Sequence, residues 1–268
     1  MSNNKQSKAV TADANGKAQV SLGRRAAGYL INTREAGIAV VVILVGLILT
    51  FATDAFFTIA NLQIVARVIS LNAIMAIGMT MVILLGDIDL SVGSIVALAS
   101  VITGFVLVPL GMPIGVGLLA GILVGVLVGL INGGLIIKTG VPSFIVTLGM
   151  MGVARGFALV ITKGSSISGL PRPYLALGQG FLLGIPIPVV IMAVVAIAAH
   201  IFLSRTATGR HIYFTGSNIE AALLSGINVN RIKVLVFVIC GALAALEAVI
   251  EVSRMSTALP AAGVGYEL

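Results

Sequence analysis

Several residue types that build catalytic or metal sites are scarce in this chain of 268 residues, which has no tryptophan, one cysteine and two histidines. The single cysteine, Cys240, cannot form a disulfide within the chain. The two histidines, His200 and His211, do not show the spacing of metal ligands. A phosphate loop of the form Gly-x-x-x-x-Gly-Lys-Ser/Thr is also absent, so we do not expect the chain to hydrolyse ATP alone.

Charged residues are equally scarce, and this scarcity decides the fold class. Only 9% of the residues are charged, whereas 59% are hydrophobic and the mean hydropathy is +1.16. Soluble domains carry about 25% charged residues. Apolar runs of about 17 to 25 residues, the length that crosses a bilayer, predict an all-α polytopic membrane protein of about seven transmembrane helices. The predicted spans cover residues 36–53, 62–85, 91–109, 113–137, 143–162, 186–203 and 232–252.

The basic residues that give the formal net charge of +7 lie in a tail and in short loops between spans. Residues 1–35 lack the apolar core and cleavage site of a signal peptide, and are interpreted as a disordered basic cytoplasmic tail. Residues 36–268 are the predicted transmembrane domain. With the tail inside, most lysines and arginines fall on the cytoplasmic face, as the positive-inside rule requires.

A polar stretch from Gly86 to Ser94 interrupts two apolar runs. It contains Asp87, Asp89, Ser91 and Ser94, and polar groups at membrane depth are costly unless they face protein or water. One interpretation is a helix break whose acids cap the start of the third span. The others are the lining of a translocation path and a proton relay, and the sequence leaves these possibilities open.

The fourth predicted span carries glycine at every fourth position, which places these residues on one helix face. Such a stripe favours close helix packing in a membrane, within the subunit or at a dimer seam. Asn132, beside the last glycine, is expected to form an interhelical hydrogen bond. The stripe consists of Gly117, Gly121, Gly125, Gly129 and Gly133.

Two loops are candidates for contact with other proteins. In the inner loop 204–231, Ser217 and Asn218 are capping residues, Glu220 stands in a first turn, and Gly226 is a stop signal. This pattern predicts a short helix containing Glu220, Ala221 and Ala222, either lying on lipid headgroups or docking to a cytoplasmic partner. The outer loop 163–185 is rich in turn residues and is either a docking surface or a connector.

Several motifs in one order resemble a known family. They are the stretch Gly86 to Ser94, Asn132-Gly133, residues 141–149, residues 208–227 and the final Ala262 to Leu268. From about residue 37 to its end, the chain resembles the permease subunit of ribose/xylose-type monosaccharide ABC importers, a bacterial binding-protein-dependent transport system.

The resemblance implies a transport subunit rather than an enzyme, moving a sugar across the bacterial inner membrane by alternating access. It implies a separate cytoplasmic ATP-binding subunit, a periplasmic sugar-binding protein and a second permease copy within the bilayer. No cofactor would be bound by this chain, since ATP acts through the partner. The helix from Glu220 to Gly226 would be the coupling helix that docks on the ATPase. With 5% aromatic residues, no stacked platform for a sugar ring can be recognised in the sequence.

Two features depart from the family pattern. Family members usually continue past the Gly-Tyr-Glu-Leu motif, so the end at Leu268 predicts missing C-terminal spans. Glu247 and Glu251 stand where at least one of the two positions is more usually small or apolar in the family, and Arg254 follows Glu251 at a spacing that permits an ion pair. These acids predict either pairing or exposure near the outer membrane boundary, or a proton or cation site. The alternatives for the whole chain are a proton-coupled secondary transporter and a truncated remnant without transport activity.

Overall fold

The computed structural model describes residues 34–267, so the predicted tail at residues 1–33 lies outside the described part. Seven apolar helices overlap the seven predicted spans, and three further helices lie in the two long loops. The helices are α1 (Arg34–Ala52), α2 (Ile59–Leu84), α3 (Val92–Leu107), α4 (Ile114–Thr139), α5 (Ser143–Thr162), α6 (Arg172–Gln179), α7 (Ile187–Arg205), α8 (Ala207–Ser217), α9 (Ile219–Leu224) and α10 (Val229–Met255).

Five of these helices, α2, α4, α5, α7 and α10, are long and apolar enough to cross a membrane. Their outward faces carry large apolar side chains such as Leu119, Leu123 and Val194, all more than half exposed. Apolar surface on this scale is the surface that lipid covers. The chain is therefore an all-α polytopic membrane protein. The apolar parts of α1 and α3 are shorter, at 16 residues or about 24 Å each.

The structure divides into two units, the first ending at Leu62 and the second beginning at Gln63. In the first unit, α1 is followed by a turn whose polar groups are satisfied locally. The side-chain amide of Asn61 donates to the carbonyl of Phe56 at 2.8 Å, and the amide of Asn61 donates to the hydroxyl of Thr58 at 3.2 Å. These bonds fix the backbone where α2 begins.

The core of the second unit is built on α3, α4 and α10, which make its most extensive helix contacts. Twelve of the 16 residues of α3 are buried, so this helix is enclosed by protein instead of facing lipid. Ile95 and Val96 pack in one hydrophobic cluster with Phe237 and Ala244 of α10. A short helix enclosed in this way brings the polar stretch that precedes it into the protein interior.

The glycine stripe of α4 faces α3 and α10, and all five glycines are buried. A Cβ added to Gly117 or Gly121 would meet Leu107 or Thr103 of α3. A Cβ added to Gly125 would meet the backbone carbonyl of Gly241 in α10, and one added to Gly129 or Gly133 would meet α10 at Phe237 or Val234. The stripe thus lets two helix backbones approach α4 more closely than any side chain would allow.

The loop 163–186 has more regular structure than its turn-rich sequence indicates. It contains α6, the short strand β1 (Ile167–Ser168) and a hairpin of β2 (Phe181–Leu182) with β3 (Ile185–Pro186). Strand β1 pairs antiparallel with β4 (Thr257–Ala258), which follows α10. Tyr174 of α6 is buried and donates its hydroxyl to the carbonyl of Val249 at 2.6 Å. Burial also raises the pKa of this tyrosine. Much of the loop is therefore packed on the end of α10.

The loop 206–228, at the C-terminal end of α7, contains the predicted short helix and one helix that the sequence did not indicate. The predicted helix is α9, where the side chain of Asn218 accepts from the amide of Ala221 at 2.9 Å. The additional helix, α8, is capped by Thr206, which accepts from the amide of Gly209 at 3.0 Å. Gly226 follows α9 in the left-handed region, with φ +78°, as a helix-ending glycine does.

Candidate functional site

The polar stretch between α2 and α3 is an ordered break with its own buried hydrogen bonds. Asp89, Ser91, Ser94 and Asn132 are all buried. One carboxylate oxygen of Asp89, Oδ1, accepts from the amide of Ser91 at 2.8 Å and from the hydroxyl of Ser91 at 2.6 Å. The side-chain amide of Asn132 on α4 then donates to that same hydroxyl at 2.9 Å. This chain of bonds fixes the start of α3 against α4.

The position of Asp89 differs in detail from a standard helix cap. Ser91 is the residue at the cap position, and its side chain makes no capping bond to α3. Asp89 lies two residues earlier and accepts from the amide of the cap residue itself. Ser94 donates its hydroxyl back to the carbonyl of Ser91 at 2.8 Å. The acid therefore stabilises the turn that enters α3.

Helix α5 holds the other side of the break through two hydroxyl side chains. The amide of Ile88 donates to the hydroxyl of Ser143 at 3.1 Å, and the amide of Leu90 donates to the hydroxyl of Thr147 at 3.0 Å. These amides have no helix to bond within, because the chain is irregular from residue 86 to residue 91. Irregular backbone at membrane depth requires such partners.

Asp87 is separated from this buried network and faces α10. Its carboxylate lies 3.0 Å from the ammonium nitrogen of Lys233, and both side chains are less than one fifth exposed. Thus the two acids of the break have different surroundings. Asp89 is enclosed with neutral hydrogen-bond donors, whereas Asp87 is paired with a cation at the start of α10.

A cavity of about 630 Å³ lies beside the break. One wall comes from α2 and is apolar except for Thr80, and the other polar groups come from the break and from residues 266–267. It is lined by Met75, Ala76, Met79, Thr80, Ile83, Gly86, Asp87, Ile88, Val92, Tyr266 and Glu267. A cavity with apolar walls and a few converging polar groups is the usual form of a small-molecule site. The residues described in the structure include no cluster of three potential metal ligands.

The acids of α10 form a second polar group near this cavity. Glu251 pairs with Arg254 at 3.6 Å and accepts a long hydrogen bond from the hydroxyl of Tyr266 at 3.4 Å. Glu247 is fully buried, and neither of its oxygens has a hydrogen-bond partner among the described residues. The predicted ion pair is present for Glu251, but Glu247 is neither paired nor exposed.

The predicted coupling residues lie apart from the cavity on α9. Glu220 is exposed, Ala221 is half-buried and Ala222 is buried, so the helix rests on the protein through one face. Its other face presents Leu223 and Leu224, which are 58% and 91% exposed.

Four residues at the break were not identified as site residues from the sequence. Lys233 pairs with Asp87, Ser143 and Thr147 hold the break backbone, and Tyr266 lines the cavity. The bonds from Ser143 and Thr147 to the break were not predicted from the sequence. The one signal was their spacing of four residues, which places both hydroxyls on one face of α5. The lining of a cavity by Tyr266 depends on tertiary packing and has no local signal.

Comparison with known proteins identifies the family. Residues 61–268 match a family described as branched-chain amino acid transport system / permease component. The ribose import permease protein RbsC of Escherichia coli (strain K12) is 41% identical over 230 residues, which are 84% of this chain and 71% of that protein. RbsC of Bacillus subtilis (strain 168) is 42% identical over 234 residues, 87% of this chain and 71% of the relative.

A third relative is the L-arabinose transport system permease protein AraH of Escherichia coli (strain K12), 36% identical over 213 residues, 80% of this chain and 65% of the relative. No solved structure matches the chain. The family match covers more than half of the chain, and these relatives align with at least four fifths of it. The chain is therefore a member of the family of branched-chain amino acid transport system permease components.

Proposed function

We propose that this protein is the membrane-spanning permease subunit of an ATP-driven monosaccharide importer, and that the sugar passes by alternating access without chemical change. The observation that carries the proposal is the cavity beside the broken helix, in a chain whose relatives are named for ribose and L-arabinose transport. A proton-coupled secondary transporter or an inactive remnant is not favoured, because the relatives are permease components of transport systems.

The cavity has the properties expected of a sugar path. Its volume of about 630 Å³ exceeds that of one monosaccharide, and its polar groups are few. Asp87 and Thr80 offer oxygens to sugar hydroxyls, and Tyr266 offers an aromatic face. Few polar contacts mean weak binding, which lets a substrate leave as readily as it enters. Selectivity would then reside in a separate periplasmic sugar-binding protein.

The path can be tested by filling it. Ala76 lines the cavity on α2, so Ala76→Phe should abolish uptake of labelled ribose in cells that contain the complete transport system. Leu123→Phe, on an exposed apolar face of α4, is the matched control and should leave uptake unchanged. Membrane content of both variants is measured by immunoblot. Normal uptake by a stably inserted Ala76→Phe protein would contradict the path.

The energy source is proposed to be a separate cytoplasmic ATPase docked on α9. The two exposed leucines of α9 are apolar surface held outside the spans by a helix of six residues. Docking in a groove of a partner would cover them. In this arrangement residues 204–231 form the coupling loop. Glu220, Ala221 and Ala222 belong to its docking helix, and Gly226 ends that element. ATP is bound only by the partner.

Docking is tested by copurification of the tagged permease with the ATP-binding subunit of the proposed importer. Leu224→Ser should reduce the amount of ATPase recovered at least tenfold, since it removes the most exposed apolar side chain of α9. Leu183→Ser is the control, because Leu183 is equally exposed but lies in the β2–β3 hairpin. Equal recovery from both variants would reject α9 as the docking element.

The proposed membrane arrangement uses all seven apolar helices as spans, with residues 1–35 as a cytoplasmic tail and residues 36–268 as the permease domain. The short helix α3 would complete its crossing through the break, which is held inside the protein. A second copy of the chain, or a homologous permease, would complete the transporter in the bacterial inner membrane.

A further inference from the structure

The chain after α10 returns along α3 into the protein. Ala258 lies against Gly104, near the end of α3, and Gly263 lies against Gly93, near its start. Gly93 and Gly104 are 11 residues apart on a helix, a distance of about 16 Å. Residues 259–267, here named the return segment, therefore run antiparallel to α3 and reach the level of the helix break.

The return segment ends at the cavity. Tyr266 and Glu267 form part of its lining, together with Asp87 and Ile88 of the break. Gly263, in the left-handed region with φ +65°, makes close backbone contact with Gly93 and packs on Val96. This contact requires that neither glycine carries a side chain.

Arg155 of α5 is the side chain that satisfies the backbone of the return segment. Its guanidinium nitrogen Nη1 donates to the carbonyl of Ala262 at 2.6 Å and to the carbonyl of Pro260 at 3.2 Å. The carbonyls of Leu259 and Gly263 accept from backbone amides within the segment, at 3.1 and 3.3 Å. These carbonyls of the segment, which forms neither helix nor sheet, are thus hydrogen-bonded either within local turns or to Arg155.

The location of Arg155 within α5 indicates a functional role. It lies seven residues before the end of α5, about 10 Å inside that helix. Charged residues inside spans are rare and usually mark a function, because they are costly unless they are bonded within the protein. A planar guanidinium can serve two carbonyls at once, which a lysine ammonium cannot do with the same fixed geometry.

We propose that Arg155 is a positioning residue, which holds the return segment along α3 so that Tyr266 and Glu267 form one wall of the sugar path. The proposal rests on the proposed function in one respect, the identity of the cavity as the path. The placement of the segment by Arg155 is independent of transport and can be measured separately.

Placement is tested by thiol labelling of a reporter beneath the segment. Val96 is fully buried and packs under Gly263, so Val96→Cys, with Cys240→Ala, should react slowly with a small membrane-permeant maleimide. Adding Arg155→Met should raise the labelling rate at least tenfold, and Arg155→Lys should raise it less. Arg67→Met is the matched control, because Arg67 also donates to a backbone carbonyl, that of Gln179, but outside the return segment. Unchanged labelling in monodisperse Arg155→Met and Arg155→Lys proteins would overturn the proposal.

Transport supplies the second measurement. In the complete system, Arg155→Lys should lower the maximal uptake rate of ribose at least fivefold, whereas Arg67→Lys should not. Faster labelling with normal uptake would overturn the functional half of the proposal and leave the placement of the segment standing. If Ala76→Phe also transports normally, the proposed path itself fails, and this result is distinguishable because labelling requires no transport.

Discussion

At the scale of single residues, the buried polar side chains differ in how many of their hydrogen-bonding groups have a partner. The hydroxyls of Ser91, Ser143 and Thr147 each take part in bonds that fix the helix break. By contrast, Asp89 has one oxygen without a partner among residues 34–267, and Glu247 has two. A buried polar atom without a partner costs more free energy than a bonded one contributes. The bonded residues thus stabilise the fold, while Glu247 reduces its stability.

Asp89 should be replaceable by a residue that keeps an acceptor oxygen. Asp89→Asn retains an oxygen for the amide and hydroxyl of Ser91, so it should change stability little. Asp89→Leu leaves both donors unsatisfied and should lower the free energy of unfolding by about 1 to 3 kcal/mol. Thermal unfolding in detergent measures both effects. A folded Asp89→Asn protein without ribose uptake would instead indicate that the charge is needed for transport.

Glu247 should be replaceable by an apolar residue of similar shape with a gain in stability. Glu247→Met removes an unpartnered polar group from a buried position, and the free energy of unfolding should rise by about 1 kcal/mol or more. Glu251→Met is the comparison, because it breaks the contacts to Arg254 and Tyr266 and should lower stability. A lower Tm for Glu247→Met would show that its carboxyl has a favourable partner in the membrane.

At the scale of elements, the positions of the helices follow from the sequence, since each apolar run forms one helix close to its predicted limits. The helices and strands within the two long loops are less directly predictable from the sequence. Helix α6 is neither strongly apolar nor strongly polar, so its sequence does not indicate that it is buried. Its packing depends on the contact of Tyr174 with α10. The break was located by its acids, but its fixation by α5 brings together residues more than 50 positions apart. Such distant pairs leave no periodic pattern in the sequence.

The glycine stripe gives a prediction with an internal control on the same helix. Gly125→Ala places a methyl group against the carbonyl of Gly241 and should lower the free energy of unfolding by about 1 to 3 kcal/mol. Gly134→Ala points into open space and should raise it by up to about 1 kcal/mol through higher helix propensity. Thermal unfolding in detergent measures the pair. Equal effects of the two substitutions would show that α4 does not pack on α10 through Gly125.

At the scale of the whole molecule, the proposed orientation places the two loop regions on opposite faces of the membrane. Ser165→Cys and Leu183→Cys should react with a membrane-impermeant maleimide in intact spheroplasts, because both loops would be outside. Leu224→Cys, expressed without the ATPase, should react only after permeabilisation. Native Cys240 is buried and supplies little background. Labelling of Leu224→Cys in intact spheroplasts would reverse the orientation.

The glycine contacts of α4 and the hydroxyl bonds of α5 also bear on how the protein can move. Helix α3 touches the backbones of α4 and of residues 259–267, and its entrance is bonded to α5. Interlocked backbones have few alternative arrangements, so we expect α3, α4, α5 and α10 to rotate as one rigid body. The cavity lies at the edge of that body, where one wall comes from α2. Opening and closing of the path would then occur by sliding of α2 across the break, with the break as the fixed edge of the gate.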